Sequence, residues 1–114
     1  MKLAIIGSRN VNLSVKDVTE QCPDSVTEIV SGGARGVDSL AAECAVLLKL
    51  KLTEFRPDYK KNGRGATFIR NRQIVDYADE VLAFWDGLSR GTKYTIDYAR
   101  KHGKRVKIVK VANQ

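Results

Sequence analysis

Four short segments of this sequence concentrate the residue types that hold a phosphate. The first is Gly7-Ser8-Arg9. Glycine permits a tight turn and close ligand approach, while Ser8 and Arg9 offer donors to an anion. The second is Ser31-Gly32-Gly33-Ala34-Arg35-Gly36-Val37-Asp38. A glycine-rich turn that opens a helix points backbone N–H groups at a ligand, and the helix dipole favours negative charge there. Arg35 inside the turn strengthens the phosphate reading; a merely structural strand-to-helix turn is the plainer one. No Gly-Lys-Ser/Thr follows, so this is not a Walker loop, and the Gly-x-Gly-x-x-Gly spacing of dinucleotide-binding turns is absent. Asp38 suits either a ligand contact or the positive start of the helix, and the second role is preferred. The third segment is Arg70-Asn71, a pair for which solvated surface is the usual explanation. The fourth is Asp86-Gly87-Leu88-Ser89-Arg90-Gly91-Thr92, which follows Phe84-Trp85. Trp85 and Tyr59 are candidates for stacking on a base; core packing is an equal alternative for Trp85. In the expected site Arg35, Arg70 and Arg90 surround the phosphates, and the N–H groups of Gly33 and Gly91 complete it.

Acid–base and covalent chemistry is sparse. The one histidine, His102, falls at a helix end away from the expected cleft. Asp38 and Asp86 are the only carboxylates near it, and no Cys/His pair, Ser/His/Asp set or metal-ligand cluster stands out. Cys22 and Cys44 have no zinc spacing and are expected to be reduced, Cys44 as a small buried hydrophobe.

The elements that must position these segments alternate. Leu3 to Ile6 is a continuous apolar run, as in a strand buried on both faces. Strands are also expected at Thr27–Val30, Lys51–Phe55, Glu80–Phe84 and Arg105–Val111. Helices are expected around Val15–Gln21, from Gly36 to Lys49, from Ala66 to Tyr77 and from Thr92 to His102. The Gly36–Lys49 helix carries an apolar stripe of Val37, Leu40, Ala41, Cys44, Leu47 and Leu48. Residues 57–65 read as a flexible loop. The pattern predicts one Rossmann-like α/β domain over residues 1–114. Its sheet is parallel, about five-stranded and covered by helices on both faces, with ligands collecting at the carboxyl ends of the strands.

Charge narrows the partners. The formal net charge is +7, with −2 on residues 1–44 and +9 on residues 45–114. That asymmetry favours anions: nucleotides, or weak, non-specific, salt-sensitive contact with nucleic acid. A solvated lysine-rich face needs no partner at all. No apolar run approaches the length of a membrane span, and the short N-terminal run reads as a strand rather than a signal peptide. The expected location is the cytoplasm, with no membrane partner. The sequence leaves a homo-oligomer open.

Taken together, Gly7-Ser8-Arg9, the Ser31–Asp38 turn, Arg70-Asn71 and the stretch Ala83–Thr92 resemble the YspA-type branch of the SLOG superfamily. That superfamily also contains the DNA-processing protein DprA and the LONELY GUY phosphoribohydrolases. The resemblance runs from about residue 3 to residue 109, with Tyr59 where the branch often has Trp. It implies a Rossmann-like fold and a site for a nucleotide or an ADP-ribose-like ligand, with no cofactor assigned. The phosphoribohydrolases carry a glutamate where this chain has Thr95. Threonine cannot serve as a carboxylate base, which counts against hydrolysis by that mechanism. The preferred expectation is therefore a module that binds or senses a phosphate-bearing nucleotide-derived ligand. The alternatives are a nucleotide-processing enzyme acting on an N-glycosidic bond and a DprA-like nucleic-acid binder.

Overall fold

A computed structural model of the chain describes residues 1–112, so the last two residues of the expected 1–114 unit lie outside the described residues. Five strands form one parallel sheet: β1 (Lys2–Gly7), β2 (Glu28–Ser31), β3 (Lys51–Glu54), β4 (Glu80–Trp85) and β5 (Arg105–Lys110). Their spatial order is β3-β2-β1-β4-β5. β1 is therefore central, registered through Ala4 on Val30 of β2 and through Gly7 on Phe84 of β4.

The alternation of side chains along these strands feeds two cores. Leu3, Ile5, Ile29, Leu82 and Phe84 face one side, with Val18 of α1 (Val15–Glu20) and Val37, Ala41 and Cys44 of α2 (Val37–Leu47). Ala4, Ile6, Val30, Val81 and Ala83 face the other. There they meet Ile74 and Val75 of α4 (Ala66–Tyr77) and Ile96 and Ala99 of α5 (Arg90–Lys101). Strands buried on both faces explain the near-continuous apolar runs. The expected parallel sheet with helices on both faces is the architecture found.

Local chemistry sets the helix starts. α1 opens with a capping box in which the Ser14 side chain accepts from Asp17 N at 3.3 Å and Asp17 accepts from Ser14 N at 2.9 Å. α5 starts at Arg90, two residues before the expected Thr92, because Ser89 is its N-cap and accepts from Thr92 N. Residues 57–65, expected as a loop, are instead a helical turn α3 (Tyr59–Asn62) and a 3-10 turn (Gly63–Gly65) leading into α4. Asp58 produces this difference by accepting the Lys61 N–H at 3.1 Å. Leu47 and Leu48 also depart from expectation. They lie 61% and 42% exposed, since α2 ends at Leu47 and the chain turns away through Lys49 at φ 57°. Among the described residues, no helix is long and apolar enough to cross a membrane.

Candidate functional site

The chain runs from β1 outward to β3, then returns to place β4 on the other side of β1. The connections leaving β1 and β4 diverge toward opposite faces, opening a crevice at the carboxyl ends of these two strands. A cleft of about 590 Å³ lies there.

Three residues of the β1 loop shape its floor and rim. A Cβ on Gly7 would meet the Phe84 carbonyl oxygen at 2.5 Å and the Val37 side chain at 2.7 Å, so only glycine lets β1, β4 and α2 close together. Ser8 N donates to Phe84 O at 3.1 Å. Among the described residues the buried Ser8 hydroxyl has no partner within hydrogen-bonding geometry, and it helps to lower the pKa of the neighbouring Asp86 carboxylate. Arg9 is exposed at the rim.

The glycine-rich turn forms the second wall. Gly33 N turns back to the Ser31 hydroxyl at 3.4 Å, and Ala34 N donates to Asp38 at 3.2 Å. Asp38 thus closes the turn while facing the cleft. Burial pushes its pKa up, against the opposing pull of Ala34 N–H and the Arg70 charge. Arg70 is 7% exposed rather than solvated: Nη1 donates to Gly32 O at 2.7 Å and Nε to Asn71 Oδ1 at 2.8 Å. Burial lowers its pKa while Asp38 supports its charge. It remains protonated at any ordinary pH.

The third wall is the start of α5. Asp86 accepts from Leu88 N and Ser89 N, each at 2.8 Å, and those bonds hold its pKa below the usual range. The Thr95 hydroxyl donates to Gly91 O at 2.9 Å and is 2% exposed. That bond ties it to the preceding turn of α5, and it also lines the cleft.

Of the residues expected in the site, Gly7, Ser8 and Arg9 line the cleft together with Arg35 and Asp38. Arg70 and Asn71 of α4 join them, as do Asp86, Ser89, Gly91 and Thr92. Gly32 and Gly33 line a smaller adjoining cavity. Ser31, Gly36, Trp85 and Arg90 line neither. Ser31 is buried under the turn, and Gly36 packs on the backbone of Arg9. Trp85 packs against the second core and donates Nε1 to Ser89 O at 3.0 Å. The structure therefore brings Arg9, Arg35 and Arg70 to the cleft, not Arg90. Sequence reading passed over Asn10, Thr67, Phe68 and Ile74, which also line it. Thr67, Arg70, Asn71 and Ile74 recur at helical spacing, a pattern that marks one face of α4 and could have revealed two of them.

Residues 1–53 match the family model of DNA recombination-mediator protein A. The span includes both the Gly7–Arg9 loop and the Ser31–Asp38 turn. The fold resembles DNA processing protein A from Helicobacter pylori, a protein described as binding single-stranded DNA in a unique mode. That likeness has a TM-score of 0.73 and 26% identity over 95% of this chain and 64% of the other. It also resembles DNA processing protein A (DprA) from Streptococcus pneumoniae, with a TM-score of 0.77 and 21% identity over 94% of this chain and 49% of that one. The chain thus spans about half to two-thirds of the length of these structures. No curated protein sequence matches it. These findings correct the expected YspA-type branch: the family model over residues 1–53 and both structures point instead to DNA processing protein A, one of the two other groups named beside that branch. The chain has a Rossmann-like fold and is similar over its first 53 residues to the DNA recombination-mediator protein A family.

Proposed function

We propose that this protein binds single-stranded nucleic acid, DNA first of all, with the sugar–phosphate backbone crossing the cleft between the β1 and β4 loops. The observation that carries this reading is the cleft itself: Arg9 and Arg35 stand exposed over a floor of serine, threonine and glycine. Such a surface meets phosphates and sugars without reading base edges. The likeness to a Helicobacter pylori protein described as binding single-stranded DNA supports it, as does the match over residues 1–53. The +9 balance of residues 45–114 adds long-range attraction. A sensor of free nucleotide-derived ligands would use the same cleft, but the comparisons favour the nucleic-acid reading.

The test is fluorescence anisotropy of a labelled thymidine oligonucleotide, titrated with protein across a range of salt concentrations. Binding should weaken steeply with salt, and Arg35→Ala should flatten the log–log slope by about 0.7, the share of one single-strand phosphate contact. Free nucleotides and ADP-ribose serve as competitors. A folded protein that bound these small ligands but no oligonucleotide at low salt would overturn the proposal in favour of nucleotide sensing.

A further inference from the structure

A smaller cavity of about 320 Å³ adjoins the main cleft, and Arg9, Ala34 and Arg70 line both. Its remaining wall is built by the Gly32-Gly33 turn and by Arg56, Pro57 and Tyr59. Arg56 is held in place, with Nη1 donating to Gly33 O at 3.1 Å and Nη2 paired with Glu54 at 3.2 Å. Tyr59, the first residue of α3, is 59% exposed and is the cavity's only aromatic side chain. The segment behind it carries exposed Lys60, Lys61 and Arg64.

An exposed ring beside guanidinium groups fits one neighbour better than others. A base offers a π-face to the ring, and its phosphate offers oxygens to the arginines. The two cavities adjoin, and the wall they share includes the exposed Arg9. Building on the single-strand reading above, we propose that the smaller cavity is a second nucleotide subsite. The Tyr59 ring is the platform for its base, and Arg9 holds the phosphodiester that joins it to the nucleotide in the main cleft. The protein then recognises a length of strand, not a mononucleotide, and the ligand needs at least two linked nucleotides to engage fully.

The experiment compares thymidine 5′-monophosphate with its 5′-phosphorylated dinucleotide by calorimetry or NMR titration. Wild type, Tyr59→Ala and Tyr59→Phe are used, with melting curves to show that all three fold. Wild type should bind the dinucleotide at least about tenfold more tightly than the monophosphate. Tyr59→Ala should lose roughly fivefold to hundredfold on the dinucleotide, the usual range for a lost base stack, and leave the monophosphate unaffected. Tyr59→Phe should keep the gain. The subsite is overturned if Tyr59→Ala keeps the gain, if it weakens both ligands equally, or if Tyr59→Phe fails as alanine does. If oligonucleotides bind with no dependence on Tyr59, only the subsite falls. If wild type binds neither ligand nor longer strands, the single-strand reading falls and takes the subsite with it.

Discussion

Arg70 and Arg35 carry the same charge into the same cleft, yet their surroundings assign them different work. Arg70 is buried and directs its guanidinium to Gly32 O and Asn71, beside the Asp38 carboxylate. Replacing it with alanine leaves a buried carbonyl without its donor and the half-buried Asp38 carboxylate without its counter-charge. Arg70→Ala is expected to cost about 2–4 kcal/mol in urea denaturation. Arg35→Ala should stay within about 0.5 kcal/mol of wild type while weakening oligonucleotide binding. Equal midpoints for wild type and Arg70→Ala would show that the buried network carries no stability. A second residue-scale expectation concerns the thiols. Cys22 and Cys44 are free, with sulfurs 3.7 Å apart, and burial, aided by Cys44, pushes the Cys22 pKa up to about 12. Native Cys22 should react with iodoacetamide near neutral pH on the order of a hundredfold or more slower than an exposed cysteine, and at ordinary rates once unfolded. Fast labelling of native protein would contradict this. Sequence placed Arg35, Arg70 and Arg90 on one footing because residue type states a side chain's chemistry, not the direction it faces.

At the scale of elements, the cleft depends on how α2 is fixed to the loop after β1. Gly36 is the N-cap of α2 at φ +75°, and a Cβ there would strike the Arg9 backbone. Gly36→Ala must therefore distort either the start of α2 or the Arg9 loop. Gly91, near the start of α5, has nothing within 4 Å of a Cβ and sits in helical backbone. Gly36→Ala should lose more than about 1 kcal/mol. Gly91→Ala should be neutral or slightly stabilising, since alanine suits a helix better than glycine. Chemical denaturation of the two variants side by side decides the matter, and equal stability would refute the contact between α2 and the β1 loop. The helices and strands themselves were largely legible, with ends displaced by one or two residues. The region 57–65 was not, because a single capping aspartate, Asp58, outweighs the loop-like composition around it.

For the molecule as a whole, the two ends of the sheet differ in chemistry. The carboxyl ends carry the arginine-lined cleft, whereas β2 begins with the buried Glu28. Glu28 accepts from the Tyr77 hydroxyl at 2.6 Å and the Thr53 hydroxyl at 2.7 Å, with Lys51 at 3.8 Å, tying β2, β3 and α4 together. The Tyr77 and then the Thr53 hydrogen bonds hold its pKa below the ordinary 4.5. A carboxylate with a lowered native pKa stabilises the fold above its unfolded pKa and loses that contribution as pH falls through the native one. Glu28→Gln should therefore be less stable than wild type at about pH 6, and the gap should narrow as pH falls toward about 3. A gap that stays constant across that range would show that the charge of Glu28 is not what binds the three elements.

The local pattern of the chain was enough to determine that it forms five parallel strands with helices on both faces. Burial of a strand on two sides demands a continuous apolar run, and a helix on a sheet demands a stripe; both are written in neighbouring residues. The turns at Gly7, Ser31–Asp38 and Asp86–Thr92 were likewise legible as turns from their glycine, serine and aspartate content. Only the tertiary structure decided which of them meet a common space. The order β3-β2-β1-β4-β5 sets the Gly7–Arg9 loop beside the Asp86–Thr92 turn, nearly eighty residues away in sequence. It also draws Arg70 under Gly32, leaves Arg90 outside the cleft, and opens the space between Tyr59 and Arg9. The physical reason is that strand pairing and side-chain direction depend on contacts between distant residues, which no local periodicity records.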